Sequence, residues 1–148
     1  MAGAGPTGLI LAAELALYER ARLESNALGR GEAALATLEE HGQRFPHGVL
    51  ASEVGITRIE LLIRLGRTDA ALGAIEQALK GALGQERPGD LLALKGDLLA
   101  ARGDCATALE TFERARAAGV HASRLEAAEK RCVKPLGAPA GTPTSQER

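Results

Sequence analysis

Apolar residues recur at intervals of three and four along most of the chain, which is the period of an amphipathic α-helix. Leu11, Leu15 and Tyr18 follow this spacing near the start. Glycine and proline interrupt the pattern between segments, because both disfavour helix interiors. The pattern predicts seven helices, over residues 9–26, 32–44, 48–65, 68 to the glycines at 81 and 84, 89–102, 105–118 and 122–133.

Three glycines, Gly29, Gly66 and Gly103, are spaced 37 residues apart, and the same residue types follow each of them. Counted from each glycine, alanine recurs at the fifth position, leucine at the sixth, a larger apolar residue at the ninth and glutamate at the tenth. The residues are Ala34, Leu35, Leu38 and Glu39, then Ala71, Leu72, Ile75 and Glu76, then Ala108, Leu109, Phe112 and Glu113. A fixed period of this length indicates stacked copies of one helical hairpin, with each glycine in the turn and each alanine where two helices cross.

The repeat predicts an all-α solenoid of three helical hairpins within one domain, residues 9–133. The approximate copies are 9–46, 48–84 and 89–119, and an amphipathic helix over 122–133 is expected to cap the last copy. Residues 1–8 are predicted to be a flexible lead. Residues 134–148 are rich in Pro, Gly, Thr and Ser and are predicted to be disordered.

The third copy resembles a tetratricopeptide repeat (TPR). Its matching residues are Gly96 and Leu99 in the first helix, Gly103 and Asp104 in the turn, and Ala108, Leu109, Phe112 and Ala115 in the second helix. The first copy departs from this pattern at Arg22, Ser25 and His41, and the 37-residue period exceeds the usual ~34. The resemblance implies a non-catalytic scaffold for protein–protein interaction.

The middle of the chain is similar to short helical repeats of bacterial envelope proteins, including FecR-like and anti-sigma-type regulators. The shared element is a helix ending in Phe45 and Pro46, followed by a helix ending in Leu65, Gly66 and Arg67. This resemblance implies an alternative function as a periplasmic or envelope regulatory domain of a larger protein. If the chain is complete, the prediction is a cytoplasmic protein.

Charge and hydropathy narrow the range of partners. The net charge is −1, so the basic excess that nucleic acids or anionic membranes attract is missing. No run of 18 apolar residues is present, and insertion into a membrane is not expected. Glu14 interrupts the apolar N-terminal stretch and no Lys or Arg precedes it, unlike in a signal peptide.

The N-terminal segment GAGPTGLILAAEL looks like the dinucleotide fingerprint of flavin-dependent monooxygenases, with Gly3, Gly5 and Gly8 spaced as G-x-G-x-x-G. That motif works at a turn between a strand and a helix, where the helix N-terminus meets a pyrophosphate. Only Met1 and Ala2 precede it here, and helical repeats follow. A flavin-enzyme fragment is therefore the third hypothesis, beside a flexible glycine-rich lead.

No residue pattern predicts catalysis, a cofactor or a metal. Cys105 and Cys132 lack C-x-x-C spacing, and the sequence alone leaves a bridge between them open. Cys105 is expected as a small residue near a helix start and Cys132 as buried filler. His41, His47 and His121 form no compact ligand motif and are expected at the surface or at helix ends.

The first helices of tetratricopeptide hairpins line a concave groove, and the resemblance places a partner site there. The positions in this chain are Glu19, Leu23 and Asn26 from copy one, Glu53, Ile56, Glu60, Ile63 and Arg64 from copy two, and Asp90, Ala93, Asp97 and Ala100 from copy three. Five are carboxylates and one is an arginine, so an acidic groove is predicted. It would suit a basic or amphipathic segment of another protein, although such charges can also serve only solubility.

Overall fold

The computed structural model describes residues 5–137, with side chains as far as Val133. Every regular element in that part of the chain is a helix, and no strand occurs in it. The elements are α1 (Pro6–Arg22), a π turn (Leu23–Ala27), α2 (Gly31–Arg44), α3 (Ala51–Arg64), α4 (Thr68–Leu79), α5 (Ala82–Glu86), α6 (Pro88–Ala101), α7 (Cys105–Ala117) and α8 (Ala122–Gly137). The predicted all-α class is confirmed.

The chain divides into two compact units, an N-terminal unit of residues 1–86 and a C-terminal unit of residues 87–148. In the N-terminal unit, α1 packs on α2, α2 on α3 and α3 on α4, while the short α5 contacts α3 and α4. In the C-terminal unit, α6, α7 and α8 all pack on one another. Each unit therefore has its own helix–helix core.

The three repeat glycines lie in turns between consecutive helices, as predicted. Gly29, Gly66 and Gly103 have positive φ angles of 64°, 75° and 88°. This left-handed conformation suits glycine because it has no Cβ, and it ends a helix by turning the chain away. Gly119 ends α7 in the same way with a φ of 96°.

The residues that repeat after each glycine form the centre of the two cores. Ala34, Ala71 and Ala108 are completely buried, and so are the bulkier residues four places later, Leu38, Ile75 and Phe112. In the C-terminal unit the approach is so close that a Cβ on Gly96 would lie 2.6 Å from Phe112 Cδ1. Small residues at the crossing thus allow large apolar side chains to pack beside it.

The N-terminal helix differs from its predicted limits at both ends. α1 begins at Pro6, so residues 6–8 of the predicted flexible lead are helical, and proline suits this first position because its missing N–H would have no partner there. The helix continues into the π turn, in which the Leu28 N–H bonds to the Leu23 carbonyl five residues back. Residues 1–4 lie outside the described residues.

Other boundaries also differ from the prediction. The helix α5 was not predicted, since Gly81, Gly84 and Pro88 suggested a loop. The last helix continues to Gly137, four residues into the predicted disordered tail, and residues 138–148 of that tail lie outside the described residues.

Candidate functional site: the α1–α3 cleft

A cleft of about 390 Å³ opens between α3 and the end of α1 with its π turn. Its floor is formed by Ala21, Leu38 and Leu61, which are almost fully buried. The walls are polar and consist of Tyr18, Arg22, Ser25, Asn26, Glu53, Thr57, Glu60 and Arg64. We call this concavity the α1–α3 cleft.

Hydrogen bonds across the cleft hold its two sides together. The hydroxyls of Tyr18 and Thr57 are hydrogen-bonded at 3.2 Å. Arg64 donates to Ser25 Oγ and, at 3.4 Å, to Asn26 Oδ1. Both acceptors lie in the π turn, so this irregular turn supplies the polar wall opposite α3. Single π turns inside helices are frequent at functional sites.

The charges in the cleft balance, which differs from the predicted acidic groove. Arg22 and Arg64 stand against Glu53 and Glu60, and Arg22 was not among the predicted residues. Arg22 is paired with Glu19 at 3.5 Å. Within the described part of the chain, Glu60 is exposed and has no hydrogen-bond or ion-pair partner. A carboxylate therefore remains available on the α3 side of the cleft.

The structure brings together only some of the predicted groove residues of the N-terminal unit. Glu53, Glu60, Arg64 and Asn26 line the cleft. The exposed Glu19 and Leu23 do not line it, and Ile63 is half-buried outside it. Their positions on the helices had predicted that all three line the groove.

Ile56 belongs to the core. It is only 5% exposed, so its placement in an open groove was wrong. Its position on α3 lies between Val54 and Ile59, which are also buried. Because i and i+3 share a helix face, Ile56 and Ile59 point towards the same packed interior.

The predicted groove residues of the C-terminal unit behave differently from those of the cleft. Ala93 and Ala100 are buried, so their placement in an open groove was wrong. Asp90 is exposed and pairs with Arg87 at 2.6 Å. Asp97 is half-buried and pairs at 2.8 Å with Arg124, which lies on α8. Asp97 thus helps to attach the last helix.

A buried carboxylate that was not predicted caps the N-terminal end of α3. Glu14, on α1, is 1% exposed. Its Oε1 accepts the Val49 N–H at 3.1 Å, and its Oε2 accepts the Leu50 N–H at 2.7 Å and a bond from His41 Nε2 at 3.1 Å. Leu50 is the N-cap residue of α3 and Val49 precedes it, so Glu14 fixes the turn that leads into the helix.

His41 is part of this cluster; it lies in the last turn of α2, one of the two expected settings, but it is not at the surface. The ring is 1% exposed, whereas His47 and His121 are exposed. Nε2 of the ring makes the hydrogen bond to Glu14, and Nδ1 is buried without a hydrogen-bond partner among the described residues.

Gly48 makes room for the carboxylate. A Cβ at Gly48 would overlap Glu14 Oε2 and would lie 2.5 Å from Glu14 Cδ. The carboxylate cannot simply move away, because three hydrogen bonds fix it. The sequence signal for this cluster was an isolated glutamate inside the otherwise apolar stretch of α1.

The two cysteines form a disulfide, which the sequence had left open. Cys105 in the first turn of α7 is bridged to Cys132 on α8, with 5.2 Å between their Cα atoms. Cys132 is completely buried, as predicted. Nearby, Arg116 bonds to Glu129, and this hydrogen bond raises the pKa of Arg116 above its usual value. Covalent and ionic contacts thus join α7 to α8.

The glycine-rich motif starts the first helix. Gly5 lies immediately before α1 and Gly8 lies within it, while Gly3 is outside the described residues. No strand occurs in residues 5–137 to supply the βαβ setting of a dinucleotide fingerprint. No cluster of three or more His, Cys, Asp or Glu side chains suited to a metal occurs there either.

Within residues 5–137, no helix combines the length and the apolar character needed to cross a membrane. In comparisons with known proteins, the chain matches no protein-family model, no curated protein and no solved structure.

Proposed function

We propose that the protein is a TPR-like interaction scaffold whose α1–α3 cleft binds a basic, amphipathic segment of a partner protein. The observation that carries this proposal is the cleft itself, a concavity between the first helices of two successive hairpins with an unpaired carboxylate, Glu60, on its rim among the described residues. A lysine or arginine of the partner would pair with Glu60.

The repeat supports the TPR-like part of the proposal. Gly29, Gly66 and Gly103 share one backbone conformation, and each is followed by a completely buried alanine. Of the two cleft arginines, Arg22 is paired with Glu19, and Arg64 donates to Ser25 and Asn26. Neither arginine pairs with Glu60, so a partner cation would meet this carboxylate without displacing an arginine from it.

The test uses an array of helical peptides with lysines on one face and leucines on the other, beside acidic peptides of the same pattern. We expect the basic peptides to bind and the Glu53→Lys/Glu60→Lys variant to bind them roughly tenfold or more weakly. The matched control is Glu110→Lys/Glu126→Lys, which makes the same charge change at exposed positions of the other unit. Equal binding by both variants, or no preference for basic over acidic peptides, would exclude this site.

A second candidate function, an envelope regulatory domain, is favoured by the disulfide. Disulfides persist mainly in oxidising compartments outside the cytoplasm. The test is alkylation of the protein in its source cells, with and without prior reduction, followed by a gel-shift assay. An envelope domain should have both cysteines blocked until it is reduced, and two freely alkylated cysteines would count against this location.

A further inference from the structure

The last helix is attached to its unit by few side chains. Among residues 122–133, those buried are Leu125, Ala128 and Cys132, which are spaced by three and four and form a single narrow stripe. Leu125 is the one large hydrocarbon side chain in this stripe. Most of the burial energy of an apolar helix face comes from such large side chains, so residues 122–133 of α8 contribute only modest non-covalent packing.

Two polar contacts add to this packing. Arg124 pairs with Asp97 of α6 at 2.8 Å, and Arg116 of α7 pairs with Glu129. In the first pair, the side chains of Arg124 and Asp97 are 42% and 30% exposed, and in the second those of Arg116 and Glu129 are 33% and 18% exposed. Water and salt therefore weaken both pairs, the second less than the first.

The disulfide is the remaining attachment, and it joins residues 27 positions apart. We propose that α8 is a redox-controlled latch, held against α6 and α7 when Cys105 and Cys132 are bridged and released when the bridge is reduced. Release would uncover the face of α6 and α7 that α8 covers.

The reaction needs a dithiol reductant. One reductant thiolate attacks a protein sulfur, the S–S bond breaks and the other protein sulfur leaves as a thiolate that takes up a proton. The second reductant thiol then displaces the first protein sulfur. The reductant ends as a disulfide, and the protein gains two electrons and two protons as two thiols.

The fold controls which sulfur a reductant can reach. Cys132 is completely buried, whereas Cys105 is half-buried. Attack on Cys105 would leave a thiolate on the buried Cys132, and burial disfavours the charged form. Attack on Cys132 would leave a thiolate on Cys105 at the start of α7, where a helix N-terminus stabilises it, but that attack first requires α8 to open. A closed latch therefore protects its own disulfide.

The test compares hydrogen exchange of the oxidised and reduced wild-type protein, with a small dithiol as the reductant. We expect reduction to speed the exchange of α8 amides by roughly tenfold or more while α2 amides, as an internal reference, are unchanged. Equal α8 protection in both states would overturn the latch. So would two free thiols in protein refolded under an oxidising buffer.

A cysteine-free variant provides the control. Cys105→Ala/Cys132→Ala keeps small apolar side chains at both positions but cannot form the bridge. We expect its α8 amides to exchange as fast as those of the reduced wild type, with or without the reductant. A variant that retains oxidised-like protection would contradict the proposal, and the wild-type comparison stands by itself if the variant does not fold.

Discussion

The two units contain the same sequence repeat but are stabilised by different contacts. In the N-terminal unit, four polar side chains are buried in hydrogen-bonded pairs, His41 with Glu14 and Thr37 with Glu24. In the C-terminal unit the one buried polar side chain among the described residues is Thr111, which bonds to a backbone carbonyl of its own helix. That unit depends on apolar packing and a disulfide.

The difference shows that the repeat determines the helix crossings and the turns within each hairpin, and leaves the starts of α3 and α6 to other residues. In the N-terminal unit, α3 begins without a capping side chain of its own, and Glu14 reaches it from 36 residues away. In the C-terminal unit, α6 begins with Pro88, which has no N–H to satisfy. The first solution requires a buried carboxylate, and the second requires only local sequence.

The largest expected effect comes from removing that carboxylate. Glu14→Ala leaves the buried His41 without its partner and removes the acceptor of two part-buried backbone N–H groups, and should lower the free energy of unfolding by about 3–5 kcal/mol. Glu14→Gln keeps one acceptor oxygen and should cost less, about 1–3 kcal/mol. Denaturant unfolding measures both changes.

The control is Glu19→Ala on the same helix, at an exposed position. It should change the free energy of unfolding by no more than about 0.5 kcal/mol. If Glu14→Ala were as mild as this control, the buried cluster would not stabilise the N-terminal unit.

A smaller effect is expected from crowding the apolar core of the C-terminal unit. Gly96→Ala would place a Cβ against the ring of Phe112 and should cost about 1–3 kcal/mol, because a packed core cannot absorb the extra volume. Gly73→Ala in α4 is the matched control, since no atom lies within 4 Å of its Cβ position, and it should stabilise by about 0.5–1 kcal/mol.

A second variant separates crowding from other causes. Phe112→Leu in the Gly96→Ala background removes the clashing ring and should recover part of the lost stability in denaturant unfolding. No recovery would mean that the close approach of α6 and α7 is not the source of the effect.

The smallest loss of stability is expected from substitution of a turn glycine, and it should be equal in the two units. Gly66→Ala and Gly103→Ala each force an L side chain into a left-handed conformation, at a cost of about 1–2 kcal/mol. Asparagine tolerates this conformation better, so Gly103→Asn should cost less. Thermal unfolding of the four proteins compares them, and a clear difference between the two alanine variants would show that the turns are not equivalent.

Much of the fold followed from the sequence because local signals encode it. The period of three and four predicted the main helices, and the glycines predicted the turns. The buried pair of Glu14 and His41 could not be predicted in this way, since the two residues are 27 positions apart and meet only through packing. Cys105 and Cys132 are also 27 positions apart, so local patterns could not predict their pairing either.

The site was harder to predict than the fold. The groove positions assigned by analogy with tetratricopeptide hairpins include Asn26, Glu53, Glu60 and Arg64 of the cleft lining but not Tyr18, Arg22, Ser25 and Thr57. That assignment assumes a regular α-helix before each turn glycine. The assumption holds for α3, where three of the four shared residues lie, and fails for α1, which ends in a π turn.

The π turn also explains why the first copy departs from the tetratricopeptide pattern at Arg22 and Ser25. After Gly66 and Gly103, the next N–H bonds to a carbonyl five residues back, but after Gly29 it bonds six residues back, to Glu24. One additional residue is therefore accommodated before Gly29. Counted with that insertion, the counterpart of Gly96 is not the exposed Arg22 but Ala21, which is small and 1% exposed.

The first copy thus keeps the repeat pattern, but its first helix is shifted by one residue relative to the other copies. Its helix keeps a small residue at the crossing, and Glu24 takes the buried place that Leu62 and Leu99 hold in the other copies. An insertion of one residue rotates everything before it by about 100° around the helix axis. Any alignment of these repeats without a gap before Gly29 will therefore compare the surface of one helix with the core of another.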